Sequence, residues 1–468
     1  MKKTKIICTL GPASSERRII AELAEAGMDV ARLNFSHGTH EDHKKKIDTV
    51  RSVREELNIP LPILLDTKGP EFRIGKFKEG RVKIKEGDSF VFTTEDILGD
   101  EGSVSVSYKN LCNELSVSDT ILLNNGLMIF KVEKIEPPKI ICRALCDGEL
   151  SDRKSMYFPD STLNIPFLSD EDRKDLLFGI KEGVDFVALS FVSSREDVAS
   201  VRCFLDENGG QNIDIIAKIE SRRGVEALEE IMEVSDGIMI ARGDLGVEVP
   251  YERLPDIQKH IIDRCRAYGK RVITATEMLE SMIHSPRPTR AEISDVANAV
   301  YDGTSAVMLS GETASGENPV ESVRAMSKIL VKAEAQSEYI RVPGGFEIKS
   351  TTEALSHSAS LLAKDLGACA IIACTNTGRT ARLVSRFRPE CSILGITRDE
   401  TVYRKLALSW GVYPALTKRF ESLDILFYFA KEKAVSCGLA GEGDTIVITG
   451  GTPGDASGNS SIISIEKI

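Results

Sequence analysis

The 468-residue chain carries 60 Lys+Arg against 71 Asp+Glu, a formal charge of -11, a balance that excludes a general nucleic-acid or membrane-surface binder while allowing a locally basic pocket for phosphates. Its length implies about two to four domains around a large core, and no apolar run reaches the ~20 residues needed to span a bilayer. Ten cysteines without CxxC spacing indicate neither a disulfide framework nor a zinc site, and are expected as small buried groups in a reducing cytoplasm.

After Met1-Lys2-Lys3-Thr4-Lys5, the run Ile6-Ile7-Cys8-Thr9-Leu10 is too short for a signal-peptide core and predicts a first strand. Seven more β-branched runs follow, giving predicted strands over 5–10, 30–36, 62–68, 186–192, 214–220, 237–243, 271–277 and 306–312. Their interiors are nearly all apolar, as parallel strands buried on both faces require. Helix-period segments lie between them, for example 41–57 and 221–234. Eight parallel strands with intervening helices predict a closed α/β barrel of the (β/α)8 TIM type.

Polar groups gather at the strand C-terminal ends: Arg32, Asn34 and Ser36; Asp66, Thr67 and Lys68; Ser190; Lys218 and Glu220; Arg242 and Asp244; Thr274 and Thr276; Ser310 and Glu312. The strand starts show no comparable cluster, so chemistry is expected on one face. Between the third and fourth strands lies a stretch too long for a crossover helix. Its alternating pattern and the turns Glu86-Gly87-Asp88 and Asn124-Asn125-Gly126 predict an inserted small β-barrel domain over 72–161. Leaving and rejoining at strand ends, it would form a lid that excludes water.

After the eighth strand, Asn318-Pro319-Val320-Glu321 predicts a helix start, with Asn as cap and Glu capping back, and a helix running to about Glu338. Beyond Val342-Pro343-Gly344-Gly345 the runs 370–375, 392–397, 411–416 and 445–449 predict a C-terminal α/β domain. The expected division is therefore 1–71 and 162–345 for the barrel, 72–161 for the lid and 346–468 for the last domain.

Lys218 and Glu220 sit two apart in a strand and project to one face. With Asp244 from the next strand end, Glu220 completes a carboxylate pair suited to Mg²⁺; a salt-bridged pair is the competing reading. Asn34, Ser36, Asp66 and Thr67 form an oxygen-rich set with one charge, suited to K⁺ or, more simply, to capping the following helices. Arg32 and Lys68 add donors for phosphate or rim ion pairs. Thr276 offers a hydroxyl for proton transfer, although strand threonines are usually structural, and Ser310 and Glu312 are equally ambiguous. Thr375-Asn376-Thr377-Gly378-Arg379-Thr380, between a strand and a helix, makes a phosphate cradle, with ordinary N-capping as the alternative.

Several of these motifs, in order, resemble the pyruvate kinase family: Ala31-Arg32-Leu33-Asn34-Phe35-Ser36-His37-Gly38, Leu65-Asp66-Thr67-Lys68-Gly69-Pro70-Glu71, Lys218-Ile219-Glu220, Ala241-Arg242-Gly243-Asp244-Leu245-Gly246, Met278-Leu279-Glu280-Ser281-Met282 and Pro286-Arg287-Pro288-Thr289-Arg290. The resemblance covers nearly the whole chain. It implies phosphoryl transfer from phosphoenolpyruvate to ADP in the cytoplasm, by a homotetramer with a mobile lid and a C-terminal domain that binds a phosphorylated effector through residues 375–380. It further implies that Lys218 and Arg32 cover the transferring group, and that Glu220 and Asp244 hold Mg²⁺ or Mn²⁺. Asn34, Ser36, Asp66 and Thr67 would hold K⁺, with Glu71 marking the K⁺-dependent branch. Arg73, His37 and Asn34 would face the nucleotide. Backbone N–H groups around Gly243 and Asp244 would take the substrate carboxylate. Thr276 would assist enolate protonation with Ser310 and Glu312 behind it.

The chain departs from the family's usual residues at Arg223, Glu277, Asn124-Asn125 and Ser155-Met156-Tyr157, none of which is an implied ligand. Two other readings compete with the kinase. A lyase or aldolase acting on a pyruvate enolate would use Glu220, Asp244 and Arg32, but has no use for the lid or Lys218. A sugar-phosphate sensor with a dead barrel would need a lost ligand.

Overall fold

The computed structural model describes residues 2–161, 163, 165–336, 348–417, 422–452 and 460–468. Eight parallel strands close into a barrel: β1 Lys5–Thr9, β2 Val30–Asn34, β3 Ile63–Asp66, β4 Phe186–Leu189, β5 Asp214–Ile219, β6 Gly237–Ala241, β7 Arg271–Ala275 and β8 Ala306–Leu309. Each pairs with its sequence neighbours, and β1 also pairs with β8. Strand alternation divides the apolar residues between two cores. Ile216 of β5 joins Ile7, Leu64, Met239 and Met308 inside the barrel, whereas Ile215, Ala217 and Ile219 face the surrounding helices. That same alternation turns Lys218 inward.

The predicted helix over 221–234 is two short ones, Arg222–Glu226 and Leu228–Val234, divided at Ala227. The first packs so closely that a Cβ on Gly224 would lie 2.7 Å from the Val192 carbonyl oxygen. Helix Pro319–Glu334 starts as expected, but the Asn318 side chain makes no cap bond and Glu321 pairs with Arg324 instead of capping back. Its predicted end near Glu338 and the Val342-Pro343-Gly344-Gly345 joint lie outside the described residues.

The insert leaves after β3 and returns to helix Asp170–Lys181. Its strands, between Phe72–Arg73 and Ser155–Tyr157, form a seven-stranded and a two-stranded sheet around a separate apolar core that includes Phe90, Phe92 and Phe130. Asn124, Asn125 and Gly126 all have positive φ and turn the hairpin between Thr120–Leu123 and Met128–Glu136, as Asn-Gly turn chemistry allows. In the last domain, four parallel strands are joined by an unforeseen fifth, Ile462–Lys467, antiparallel to Thr445–Gly450.

The strand starts are not bare. Lys5, Asp185, Asp214 and Arg271 are all buried there, where the C-terminal domain docks. Asp214 is paired with Arg271 and with Lys405, each at 2.7 Å, and with Arg382 at 3.6 Å. Arg404 pairs with Asp185 at 2.7 Å, and Lys5 donates to the Val412 carbonyl at 2.8 Å. This polar face does not show in the sequence because its partners in the last domain lie 191 to 407 residues away.

Burial opposes the Asp214 charge, but Arg271, Lys405 and Arg382 outweigh it and hold its pKa at about 2. The folded value lies below the unfolded one, so this stabilisation is complete above the ordinary carboxyl range, about pH 4, and is lost as pH falls towards 2. Asp214→Asn should leave Arg271 under-neutralised and cost about 3–5 kcal/mol. Denaturant unfolding at neutral pH measures the loss, and the gap between variant and parent should narrow as pH falls below about 4.

Candidate active site

Five consecutive strand ends, β1 to β5, bring one polar and charged network together. Arg32 of β2 donates from Nε to Asp66 Oδ2 at 2.7 Å and from Nη1 to Thr9 Oγ1 at 2.7 Å. Lys218 of β5 donates to the other Asp66 oxygen at 3.1 Å and to Ser190 Oγ at 2.7 Å, and lies 3.1 Å from Glu220 Oε1. Ser190, just beyond β4, donates its own hydroxyl hydrogen bond to the Thr67 carbonyl at 2.7 Å. Burial disfavours the Lys218 ammonium, but Asp66 and Glu220 more than compensate and lift its pKa above the ordinary lysine value. Burial likewise opposes the Asp66 charge, and Arg32 and Lys218 overcome it and lower its pKa. Both groups therefore stay charged at neutral pH.

Glu220 and Asp244 emerge at the same end of adjacent strands, since Ile219 of β5 is in register with Ile240 of β6. Glu220 Oε2 accepts the Phe191 N–H at 2.5 Å. Asp244 lies in the first turn of helix Arg242–Glu248 and accepts the lid's Tyr157 hydroxyl at 2.8 Å. Burial raises the Glu220 pKa; Lys218 opposes the rise, Asp244 adds to it, and the value reaches about 7. A carboxylate so reluctant to hold its charge suits a bound divalent cation. No cluster of three or more ligating side chains occurs among the described residues. Two carboxylates with the rest of the shell left to substrate and water is the arrangement Mg²⁺ commonly takes.

Thr276 and Glu277 are consecutive left-handed residues, φ 66° and 54°, an uncommon conformation for a β-branched side chain. Arg242 pins this turn by donating to the carbonyls of Thr276 and Glu277 while paired with Asp295 at 2.7 Å. Thr276 Oγ1 accepts the Gly243 N–H at 2.8 Å and donates to Ala275 O at 2.6 Å. The hydroxyl thus sits on the backbone donor expected to receive the substrate carboxylate. Glu312 is not hydrogen-bonded to Thr276. It accepts the N–H groups of Leu279 at 3.0 Å and Ser310 at 2.7 Å, tying the β7 and β8 loops together. Ser310 Oγ is buried without a hydrogen-bond partner.

In the oxygen-rich set, Asn34 Oδ1 accepts the Ser36 N–H at 3.1 Å and Thr67 Oγ1 accepts the Ser190 N–H at 3.3 Å, while Asp66 serves the two cations. His37 is exposed, Lys68 pairs with Glu171 on the rim, and Arg73 pairs with Glu71 at 2.6 Å. Glu71 also accepts the Ser155 hydroxyl at 2.6 Å. A cavity of about 400 Å³ opens beside these residues between lid and barrel, lined by Glu71, Tyr157, Phe191, Arg223 and Glu248. Ser190, Arg242 and Tyr157 join the site beyond the residues that the sequence motifs point to. The first two show as polar strand ends, and Tyr157 only as a departure from a motif.

The 375–380 segment lies apart from this site. Gly378 is left-handed at φ 78°, the Arg379 N–H donates to Thr377 Oγ1 at 3.4 Å, and the Thr380 and Ser460 hydroxyls are 2.8 Å apart. Of the neighbouring Gly450-Gly451-Thr452-Pro453-Gly454-Asp455, the last three lie outside the described residues.

The family model described as pyruvate kinase, barrel domain, matches residues 1–323, and that described as pyruvate kinase, alpha/beta domain, matches 353–466. The chain belongs to the pyruvate kinase family. Pyruvate kinases from Clostridium acetobutylicum and Clostridium perfringens are 44% and 45% identical, with full coverage of both chains in each case. A crystal structure of a pyruvate kinase from Cryptosporidium parvum superposes with TM-score 0.92 at 37% identity, covering 100% of this chain and 96% of that one. Membership of the pyruvate kinase family makes the chain a phosphate-transferring kinase built on a TIM-like barrel. No helix among the described residues is long and apolar enough to cross a membrane.

The raised Glu220 carboxyl gives a pH signature. In metal-free protein the group is protonated below about 7 and ionised above it. Difference infrared titration should show protonated-carboxyl absorption that fades as pH rises through about 7, from Glu220 and from the half-buried Glu248, and Glu220→Gln should remove the Glu220 part while the Glu248 part stays.

Proposed function

We propose that the chain transfers the phosphoryl group of phosphoenolpyruvate to ADP, giving pyruvate and ATP, with Mg²⁺ (or Mn²⁺) and K⁺ as cofactors. The observation that carries this reading is the buried Lys218 ammonium, fixed by Asp66, Glu220 and Ser190 with Arg32 on the far side of Asp66. Phosphoryl transfer needs positioning and neutralisation of spread charge more than covalent help. Two preorganised cations in a water-poor pocket supply both at low effective dielectric.

Lys218 and Arg32 would face the migrating group, and Glu220 with Asp244 would hold the divalent ion. Bound there, the ion would supply positive charge to phosphate and enolate oxygens. The N–H groups of Gly243 and Asp244, at a helix N-terminus, suit the substrate carboxylate, with Thr276 Oγ1 yielding its present bond to Gly243. Thr276 is then placed to relay a proton to the enolate, while Glu312 and Ser310 keep its neighbouring loop in place. Arg73, His37 and Asn34 would meet the nucleotide, and Asn34, Ser36, Asp66 and Thr67 would take K⁺. The Thr375-Asn376-Thr377-Gly378-Arg379-Thr380 cradle would bind a phosphorylated effector. Family membership supports these roles, together with a cytoplasmic homotetramer.

A coupled assay for pyruvate formation tests the reaction. Lys218→Met should retain phosphoenolpyruvate binding while kcat falls on the order of 10³-fold or more, and near-normal turnover would refute the assigned role. Replacing K⁺ by tetramethylammonium should remove most of the activity; full activity would exclude the monovalent site.

A further inference from the structure

Two separate lid contacts converge on helix Arg242–Glu248. The first is the Tyr157 hydroxyl on Asp244 Oδ1 at 2.8 Å. Tyr157 ends the lid strand Ser155–Tyr157 and is only 7% exposed. Neighbours on both sides fix that strand, with Ser155 opposite Arg73 and Tyr157 opposite Leu122. The second contact is the hairpin turn Asn124-Asn125-Gly126, where a Cβ on Gly126 would lie 3.4 Å from Val247 Cγ1. The lid therefore rests on the one helix that carries Asp244, touching it at the carboxylate and one turn further on.

The phenol takes one oxygen of Asp244 and so fixes the plane of the carboxylate without occupying both oxygens. A hydrogen-bond donor behind a metal-binding carboxylate sets its direction, and losing such a partner typically weakens metal binding 10- to 100-fold. This donor arrives with the lid. We propose that Tyr157 is a positioning residue whose hydroxyl, brought up by lid closure, orients Asp244 for the divalent ion, so that lid closure and metal affinity rise together. The inference rests on Glu220 and Asp244 being the metal pair. By linkage, an ion that binds the closed form more tightly favours closure by the same factor.

Mn²⁺ binding to the full chain without nucleotide, followed by electron paramagnetic resonance, tests this in parent, Tyr157→Phe and Glu220→Gln proteins. Tyr157→Phe keeps the ring and its packing, so a purely structural role predicts unchanged Mn²⁺ affinity. The expected result is binding by the parent, loss in Glu220→Gln and about tenfold weaker binding in Tyr157→Phe. Mn²⁺ should also protect the lid of Tyr157→Phe from trypsin less than it protects the parent's lid. Equal affinity in Tyr157→Phe overturns the proposal, as does tighter binding, which would make the phenol a competitor of the ion. A parent that binds no Mn²⁺ overturns the metal-pair reading itself, an outcome distinct from failure of Tyr157 alone.

Discussion

The buried ammonium of Lys218, held by two carboxylates and a hydroxyl, is the contact around which the catalytic face is built. It joins the ends of β3, β4 and β5, and Asp66 carries the network on to Arg32 of β2. A charge buried to this degree survives only if its partners are fixed, so these strand ends cannot drift independently. The local charge is unbalanced: the cations Arg32 and Lys218 face the carboxylates of Asp66, Glu220 and Asp244. Burial raises the Glu220 pKa, and the neighbouring Asp244 adds to the rise against the opposing Lys218. A divalent cation would reverse the sign of the imbalance and prepare the pocket for an anionic substrate.

Around this centre the rim is tied through backbone on one side and met by the inserted domain on the other. Arg242 braces the left-handed Thr276-Glu277 turn, and Glu312 ties the β7 and β8 loops by their backbone N–H groups. These side chains lie where catalytic groups are expected, but their visible work is to hold backbone. The lid instead meets the barrel through side-chain contacts such as Tyr157 to Asp244. Contacts of that kind open more readily than a packed core.

The barrel was legible because each strand is buried on both faces and so reads as an apolar run ending in polar residues. Lys218 and Glu220 were legible as a pair because strand alternation places positions two apart together. What escaped notice depended on partners remote in sequence. Tyr157 meets Asp244 across 87 residues, and Lys405 meets Asp214 across 191, so no spacing rule connects them. The apparent emptiness of the strand starts had the same origin, since Lys5, Asp185, Asp214 and Arg271 look like isolated charges until the last domain is folded against them. Within the 221–234 segment, amphipathic periodicity concealed the break at Ala227 and the close approach that Gly224 permits.

Strand β5 is a short rod with a clamp at each end. Its first residue, Asp214, is gripped by Lys405 and Arg382 of the C-terminal domain; its fifth, Lys218, is the ammonium of the pocket. Arg382 belongs to helix Arg379–Ser385, which begins at the Gly378 turn. An extended backbone hydrogen-bonded on both sides does not stretch. The last domain therefore helps fix the strand that carries Lys218, by a grip four residues back along it.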